Sequence, residues 1–368
     1  MTLGFLAFLS SCKKGKSDPS IEDQVLNYEI PITPPTRDYI LGAFYTNMSG
    51  FSQNIVEKPV VGPYFMNNGV LTSVSDPASS GLIMEKHIEF AKKSKLNYFI
   101  FPVRSANLDF NGYRTDSVLV NSFLNAANSA DMSFALSYNL DAGKLGVSST
   151  VPIENNGTLL ESFYKDFQRM AFYFGKTNYM KVNGKTLVII NNAQNLNANN
   201  NPAIYAEIRK RLSALGFELY IVGMQDRWSP PARFYFRFQN CVDAMYEYNM
   251  IDTRDYDRYY LFLQNVDTGW KYWKELLATW NVEFIPSISP AFNSKISSPT
   301  STNPNISRTA DGLFYRKFCN VAKRNATASG LVFIDSFNNW TSDTQIEPAE
   351  SYGELYLDIT RQEFKMGN

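Results

Sequence analysis

The hydrophobic and polar positions of the chain follow two alternating patterns. Short runs rich in β-branched and aromatic residues predict buried strands, and longer amphipathic stretches between them predict helices. Eight runs predict strands, at residues 39–45, 97–103, 133–138, 186–191, 218–223, 243–248, 283–287 and 331–336. Helices are expected near residues 81–95, 116–130, 160–175, 202–215, 264–280, 309–325 and 350–364.

Alternation of strand and helix is typical of parallel β/α units. Eight such units predict an α/β fold, a single eight-stranded parallel (β/α) barrel of the TIM type, and barrels of roughly 250 residues or more commonly form one domain. Residues 224–241 show no clear helix, and Asn183-Gly184 predicts a hairpin turn before the fourth strand. The expected organisation is a leader at 1–12, a polar, proline-containing linker at 13–37 and the barrel at 38–368.

Charge and composition argue against one class of partner and indicate a large aromatic core. Lys plus Arg and Asp plus Glu both total 35, so the chain has no basic excess and nucleic acid is not an expected partner. Aromatic residues make up 15% of the chain, with 27 Phe and 22 Tyr, which favours some exposed aromatic surface as well as a large core. Trp270, Trp273 and Trp280 recur at helical spacing, which predicts core packing.

The few cysteines and the single histidine argue against metal or thiol chemistry. Cys241 and Cys319 lie in apolar surroundings and predict buried free thiols rather than a disulfide. His87 is the only histidine, which excludes multi-histidine metal sites and disfavours a Ser-His-Asp arrangement. It lies in a helical pattern and is expected to be satisfied by a neighbour. No metal and no cofactor are expected.

The N-terminus predicts an export signal. Residues 1–12 form an apolar run much shorter than the about 20 residues that a membrane-spanning helix needs. Leu9-Ser10-Ser11-Cys12 fits the lipobox of bacterial lipoproteins, in which the cysteine is acylated, and residues 13–18 resemble the tether of Bacteroidetes lipoproteins. The alternative is an ordinary signal sequence with a chance cysteine. The first interpretation predicts lipidation at Cys12 and anchoring to the bacterial envelope at the outer membrane.

The most informative motif follows the eighth predicted strand, at residues 336–348. It resembles the segment Ser-(Phe/Trp/Tyr)-Asn-Glu-Trp-x-Glu-Gly-Thr-x-(Ile/Leu)-Glu-Pro of the glycoside hydrolase family 99 endo-α-mannosidases and the related WbsX-like proteins. Six further stretches resemble recurrent family segments in the same order, at 41–45, 61–64, 86–100, 179–185, 243–249 and 286–292. The resemblance implies a barrel whose site lies at the carboxyl ends of its strands.

The resemblance also implies that the family's two catalytic glutamates correspond to Asn339 and Ser342. Neither an amide nor an aliphatic hydroxyl titrates near neutral pH, and glycosidic cleavage normally uses two carboxyl groups. Glu247, Asp343 and Glu347 are therefore the candidates for a replacement catalytic group. Glu347 matches a glutamate that the family keeps after its catalytic pair, which implies a structural or hydroxyl-binding role.

Sugars present an apolar ring face and many hydroxyls, so aromatic, amide and carboxylate side chains in the loops after strands suit them. Trp340 and Trp228 are predicted as aromatic platforms. The predicted substrate-binding residues are Tyr45, Asn47, Tyr138, Trp228, Tyr248, Asn249, Asn339 and Trp340. A wider set at the same strand ends contains Arg104, Asn139, Asn191, Asn192, Gln225, Asp226 and Arg227.

Two functions remain open. The first is a carbohydrate-active lipoprotein resembling endo-acting hydrolases of α-mannoside-type polysaccharides. The second is a surface glycan-binding protein on a hydrolase scaffold that has lost cleavage. Both predict a polysaccharide or oligosaccharide ligand, contact with the membrane only through the lipid anchor, and outer-membrane glycan-uptake components as partners.

Overall fold

The computed structural model describes residues 28–48, 55–74, 81–226, 231–248, 262–302 and 305–367. Nine parallel strands form the main sheet, in the hydrogen-bonded order β10, β9, β8, β7, β5, β4, β1, β12, β11. Their bounds are β1 Ile40–Phe44, β4 Tyr98–Val103, β5 Ser133–Asn139, β7 Lys185–Asn191, β8 Leu219–Asp226, β9 Ala244–Tyr248, β10 Glu283–Ile285, β11 Ser287–Ile288 and β12 Leu331–Ile334.

The two ends of this sheet belong to one interrupted strand. Only Pro286 separates β10, which pairs with β9, from β11, which pairs with β12. Because proline has no N–H to donate, the ladder breaks there while the chain continues in the same direction. The sheet therefore closes into a TIM-type barrel, and its eight strands correspond to the eight predicted from the sequence.

Seven helices of ten or more residues accompany the strands in the described residues, together with a four-residue α5. They are α1 Leu82–Lys93, α2 Phe110–Asn125, α3 Gly157–Phe174, α4 Asn201–Ser213, α5 Tyr235–Phe238, α6 Phe262–Thr279, α7 Leu313–Asn325 and α8 Leu355–Phe364. Asp109 and Asn156 accept hydrogen bonds from the first-turn amides of α2 and α3, which fixes where these helices begin. Because of the Asp109 cap, α2 starts at Phe110, six residues before the predicted start at 116.

Two hairpins flank the barrel. β6 Lys181–Val182 pairs antiparallel with β7. Asn183 and Gly184 take positive φ values of 51° and 80° in the turn between them, as the Asn-Gly pair predicts. The second hairpin, β2 Tyr64–Asn67 with β3 Val70–Ser73, has no counterpart in the sequence prediction.

Side chains of successive strand residues pack on opposite faces of the sheet. Inward-facing residues such as Ile100, Tyr246 and Phe333 fill the barrel, and outward-facing neighbours such as Phe101 and Met245 pack in the layer beneath the helices. Trp270 and Trp273 are buried in that outer layer and Trp280 packs at its edge, as the helical spacing predicts. Cys241 and Cys319 are buried free thiols, which confirms that prediction.

The described chain begins at the face opposite the carboxyl ends of the strands. The Thr33 amide donates to Asn320 of α7, and Arg37 donates to the carbonyls of Thr327 and Ala328, just before β12. Residues 28–37 of the predicted linker thus lie against the barrel. No helix within the described ranges combines the length and apolar character needed to cross a membrane.

Candidate carbohydrate-binding cleft

A cleft of about 360 Å³ lies at the carboxyl ends of the barrel strands. Residues from β1, β4, β5, β7, β8 and β9 and from the residue after β12 contribute to its wall. The lining consists of Phe44, Tyr45, Thr46, Asn47, Ile100, Pro102, Ser137, Asn139, Asn191, Asn192, Met224, Tyr246 and Asp335. This is the face at which the barrel fold predicts a ligand site.

Asp335 is the only acidic residue among the described residues that line the cleft. Leu331 and Phe333 face the barrel interior, so strand alternation directs Asp335 to the same side at the end of β12. Its side chain keeps some contact with the cleft, and its carboxyl has no hydrogen-bond partner among the described residues. Burial raises the pKa of Asp335 to about 7, because the surroundings disfavour the charged form.

Amide and aromatic side chains surround this carboxyl group. Tyr246 donates from its hydroxyl to Oδ1 of Asn191 at 2.5 Å, and Nδ2 of Asn192 donates to Oδ1 of Asn139 at 3.2 Å. The Phe44 and Tyr246 rings lie 5.7 Å apart. Amide groups that donate and accept, next to aromatic faces, match the hydroxyls and apolar faces of a sugar ring.

Two buried polar atoms of the lining lack partners among the described residues. They are Oγ of Ser137 and Oδ1 of Asn47. A buried polar atom without a partner costs about 1–3 kcal/mol, and such atoms in native proteins usually mark a bound water or ligand. Their position in the cleft allows both atoms to bind water or a polar ligand.

Tyr45 and Asn47, both predicted binding residues, lie in the cleft wall. Asn47 is partly exposed and its Nδ2 donates weakly to the carbonyl of Thr115 at 3.4 Å. Tyr45 is almost fully buried, and its hydroxyl lies 2.6 Å from Nδ1 of His87. Burial, together with the negative charge of Glu347, raises the pKa of Tyr45 well above its ordinary value.

Glu347 lies outside the cleft lining and is fully buried. Its carboxylate accepts from the Tyr64 hydroxyl at 2.7 Å, from the Trp340 indole N–H at 2.7 Å and from Nε2 of His87 at 2.9 Å. With Nε2–H donating to Glu347, Nδ1 of His87 accepts from Tyr45. We refer to Tyr45, Tyr64, His87, Trp340 and Glu347 as the Glu347 cluster.

The hydrogen bonds of the Glu347 cluster show how the side chains of His87 and Trp340 are placed. His87 is satisfied by its neighbours, as the sequence predicts. Trp340 is 1% exposed, so its ring faces the core and the expectation of an open aromatic platform at this position is corrected. The physical reason is the indole N–H, which reaches a buried carboxylate and draws the ring inward.

Asn339 and Ser342 lie in the turn of the motif and are not among the residues lining the cleft. The hydroxyl of Thr341 donates to Oδ1 of Asn339 at 2.8 Å, and the carbonyl of Ser342 accepts from the Asn293 amide at 2.8 Å. Both side chains are partly exposed. The neighbouring Asn338 binds the backbone of Thr46 through both its amide atoms, which ties the motif to the end of β1.

Asp343 forms a buried ion pair with Arg308, whose Nε donates to its Oδ1 at 2.9 Å. The guanidinium of Arg308 also donates to the carbonyls of Asp343 and Gln345, and it lies over the rings of Tyr352 and Tyr356. Asp343 adopts a φ of 56°, a conformation that glycine takes without strain. This geometry makes Asp343 a structural partner of Arg308, and it lies outside the described cleft lining.

Glu247 faces away from the cleft. Its neighbour Tyr246 points into the barrel, so alternation turns Glu247 toward the helices, where the indole N–H of Trp270 donates to its Oε2 at 2.8 Å. Burial raises the pKa of Glu247 to about 8, and the hydrogen bond from Trp270 opposes that shift. Glu247, Asp343 and Glu347 therefore do not meet in one site.

The other predicted residues divide by position. Tyr138 is buried and its hydroxyl donates to Asp166, and Arg104 forms an ion pair with Asp116. Tyr138 and Arg104 line a recess of about 20 Å³, and Asn139 lines both this recess and the cleft. Gln225 is buried outside the lining, whereas Asn139, Asn191 and Asn192 line the cleft. Trp228, Asn249 and Arg227 lie outside the described residues, as do the side chains of Tyr248 and Asp226.

Asp335 and Tyr246 are cleft residues that the sequence prediction omits. The signal for Asp335 was present: Leu331, Phe333 and Asp335 share one face of a strand whose alternate residues are equally hydrophobic. In a run buried on both faces, hydrophobicity does not distinguish the inner side, so the choice of face needed the barrel itself. The described residues contain no cluster of three or more His, Cys, Asp or Glu side chains that could hold a metal ion.

Solved structures of two glycoside hydrolases share this barrel fold. A GH99 endo-α-mannosidase from Bacteroides thetaiotaomicron superposes with a TM-score of 0.61 at 17% identity, covering 89% of this chain and 96% of that one. A GH5-4 broad-specificity endoglucanase from Ruminococcus champanellensis gives a TM-score of 0.50 at 11% identity, covering 88% of this chain and 96% of that one. At these identities the likeness shows the shared fold.

The family follows from a closer likeness. A structure described as a glycoside hydrolase-like protein is 31% identical, with a TM-score of 0.79, and covers 94% of this chain and 99% of that one. The family model described as Glycosyltransferase WbsX matches residues 159–360. The chain belongs to this WbsX family. A comparison with curated proteins finds no match.

Proposed function

We propose that the chain binds a glycan in the cleft at the carboxyl ends of its barrel strands, and that it does so without the two-carboxylate cleavage of a glycosidase. The observation that carries this proposal is the composition of the cleft. In the described lining, amide side chains and aromatic rings surround one carboxyl group, that of Asp335, and two buried polar atoms have no hydrogen-bond partner among the described residues. Hydrolase-like barrels of related fold support a carbohydrate as the ligand.

The positions of the other acids support binding over hydrolysis. Glycosidases of the usual kind place two carboxyl groups on either side of the scissile bond, about 5–10 Å apart. Glu347 is occupied by three donors, Asp343 is paired with Arg308, and Glu247 faces the helices. The described cleft lining supplies one carboxyl group where the mechanism needs two.

Asp335 gives the cleft a group that changes its hydrogen-bonding role near neutral pH. Below a pH of about 7 the protonated carboxyl donates one hydrogen bond, and above it the carboxylate only accepts. A sugar hydroxyl offers both a donor and an acceptor, so either form has a matching partner. Asp335→Asn keeps the shape and a donor but removes the titration.

Hydrolysis is the second candidate, and one observation favours it. A carboxyl group with a pKa of about 7 suits general acid catalysis at neutral pH. Asp335 would then protonate the leaving glycosidic oxygen as its bond to the anomeric carbon breaks. Water would add to that carbon, and the proton that this water loses would pass to the solvent. The substrate class we propose for either activity is an α-mannoside-type polysaccharide, in line with the endo-α-mannosidase of the same fold.

Glycosyl transfer from a nucleotide donor fits the cleft less well, although the family model carries that description. A diphosphate is normally held by arginine, lysine or backbone amides at a helix N-terminus. The described lining of the cleft contains no arginine or lysine. Neutral amides and aromatic rings suit a sugar chain better than a diphosphate.

Envelope anchoring through Cys12 is part of the proposal. The described chain starts at Tyr28 and runs along the face opposite the cleft, through Thr33 and Arg37. A tether on that side suits a cleft directed away from the membrane. Changing Cys12 to Ala should release the protein from membranes; equal fractionation of parent and variant would refute the anchor.

The decisive experiment combines retention and cleavage. The purified chain is incubated with α-mannans and other polysaccharides, and both bound polymer and released reducing ends are measured. We expect retention of a mannan, loss of that retention in Asn191→Ala, and no change in Asn199→Ala, an exposed asparagine outside the cleft. Release of oligosaccharides that disappears in Asp335→Asn would replace binding by hydrolysis.

A further inference from the structure

The cleft continues into a surface groove along α2. Asn47 lines both the cleft and an adjoining depression of about 640 Å³. Arg114 and Val118 line both this depression and the next one, of about 500 Å³. Because neighbouring depressions share side chains, they adjoin one another, and we call the two depressions beside the cleft the α2 groove. It reaches from the cleft past the β2–β3 hairpin to the space between α2 and α3.

The charge of the α2 groove is positive. Its described lining contains Arg114 and Arg169 and no aspartate or glutamate. Arg169 lies 3.6 Å from Asp166 and donates to Asn107, so its charge is largely compensated. Arg114 is exposed and has no ion-pair or hydrogen-bond partner among the described residues. A cation without a partner at the middle of a groove favours an anionic occupant.

The remaining lining suits a sugar chain. Phe110 and Phe172 are 64% and 66% exposed at the far end of the groove. Asn68, Asn111 and Asn121 supply amide donors and acceptors along its length. The orphaned Oδ1 of Asn47 lies where the groove joins the cleft. Exposed aromatic faces next to amides are the groups that bind pyranose rings and their hydroxyls.

We propose that the α2 groove is an extended binding site for an acidic polysaccharide, with Arg114 as the contact for a carboxylate or sulfate on the chain. This inference rests on the proposed function, because one polymer occupies both the cleft and the groove. It adds to that function the length of the ligand and a negative charge that a plain mannan lacks, so charged polymers other than mannan serve as probes of the groove. Arg114 makes a paired hydrogen bond to the anion, the geometry in which a guanidinium recognises a planar carboxylate.

Affinity electrophoresis tests the proposal with four polymers: polygalacturonate, its carboxyl-reduced form, dextran sulfate and dextran. The variants are Arg114→Ala and Phe172→Ala. The matched control is Arg361→Ala, which removes the same charge from a partly exposed position in the last turn of α8, where Arg361 pairs with Asp358 next to the amino end of β1. Arg114 is exposed on α2, so its replacement leaves the fold intact.

We expect polygalacturonate or dextran sulfate to bind at least tenfold more tightly than its uncharged counterpart. Arg114→Ala should reduce that difference about tenfold, and Phe172→Ala should weaken all the bound polymers. Arg361→Ala should bind like the parent chain. Preference for the carboxylated or for the sulfated polymer identifies which anion Arg114 contacts.

Three outcomes overturn the inference. The first is equal binding of charged and uncharged polymers by the parent chain. The second is an equal loss in Arg361→Ala, which would indicate only general charge attraction. The third is binding of a single-stranded DNA oligonucleotide as tight as that of the acidic polymer. Binding of a neutral glycan that depends on Asn191 but not on Arg114 would overturn the extended site and leave the proposed function intact.

Discussion

The carboxyl group of Asp335 in the cleft and that of Glu347 in the Glu347 cluster have opposite hydrogen-bonding environments. Both follow β12, twelve residues apart in sequence, at Asp335 and Glu347. Glu347 accepts three hydrogen bonds from buried donors, whereas Asp335 has no partner among the described residues. The difference separates an acid held in the packed interior by hydrogen bonds from an acid that lines the candidate cleft.

The physical basis is the cost of burying charge. A buried carboxylate is stabilised only when donors replace the water it loses, and the Glu347 cluster supplies those donors. At Asp335 none of the described residues donates a hydrogen bond to the carboxyl group, so burial disfavours the charged form and the pKa rises. A protein that keeps such a group in a cleft loses stability there, which is characteristic of functional sites.

The largest effect is expected from Glu347→Ala. Removing this carboxylate leaves His87, Tyr64 and Trp340 with buried donors that have lost their acceptor. We expect a loss of about 3–5 kcal/mol in the free energy of unfolding, measured by urea denaturation. Glu350→Ala, an exposed neighbour, should change it by less than about 0.5 kcal/mol. Similar losses in the two variants would contradict the structural role of the Glu347 cluster.

The second prediction concerns Asp335→Asn. The pKa of Asp335 is about 7 in the folded chain, against about 3.9 in an unfolded one, so the native state binds the proton more tightly. The free energy of unfolding of the parent chain should therefore decrease as pH rises from about 4 to about 7. The Asp335→Asn variant should not show this decrease. At pH 8 the variant should be more stable, by at most about 4 kcal/mol.

Thermal unfolding at pH 4 and at pH 8 measures this effect. The two proteins should differ little at pH 4, where Asp335 is protonated in the folded chain and about half protonated in the unfolded chain. Asp358→Asn, at an exposed position of α8, serves as the control and should follow the parent at both pH values. An Asp335→Asn variant that is less stable than the parent at pH 8 would show that the carboxylate has a structural partner.

A smaller effect on stability is expected from Tyr45→Phe. Tyr45 belongs both to the cleft lining and to the Glu347 cluster. Its buried ring packs on Phe99 and Phe337. Its hydroxyl binds His87, so the variant leaves Nδ1 of His87 without its donor. We expect a loss of about 1–3 kcal/mol in the free energy of unfolding, with the cleft shape retained. Tyr272→Phe, about half exposed, should be neutral. An unchanged free energy of unfolding in Tyr45→Phe would indicate that water replaces the hydroxyl.

The smallest effect on stability is expected from Asn339→Glu combined with Ser342→Glu. Both side chains are partly exposed, so the free energy of unfolding should change by less than about 1 kcal/mol. These are the positions to which the family resemblance assigns the catalytic glutamates. A general acid or base contributes roughly 10²- to 10⁴-fold, so reducing-end release above the parent level would support descent from a hydrolase. Unchanged background release would leave the resemblance without catalytic support.

Much of the fold could be predicted because its signals are local. Strand and helix periodicity located all eight barrel strands, and Asn183-Gly184 specified its hairpin turn. Periodicity did not predict the interruption in the strand that closes the barrel. One run at 283–287 was predicted, and Pro286 divides it into β10 and β11, which pair with different neighbours. The β2–β3 hairpin was missed because its short strands carry too few hydrophobic positions to show a period.

The sequence by itself determined the barrel and the family, because these depend on patterns within single segments, and it predicted a site at the carboxyl ends of the strands. Only the tertiary structure decided which acid faces the cleft. Glu247 and Asp335 both end predicted strands, yet one points to the helices and the other into the barrel. Direction and hydrogen-bond partners depend on residues distant in the chain, as Glu347 depends on Tyr64 and His87.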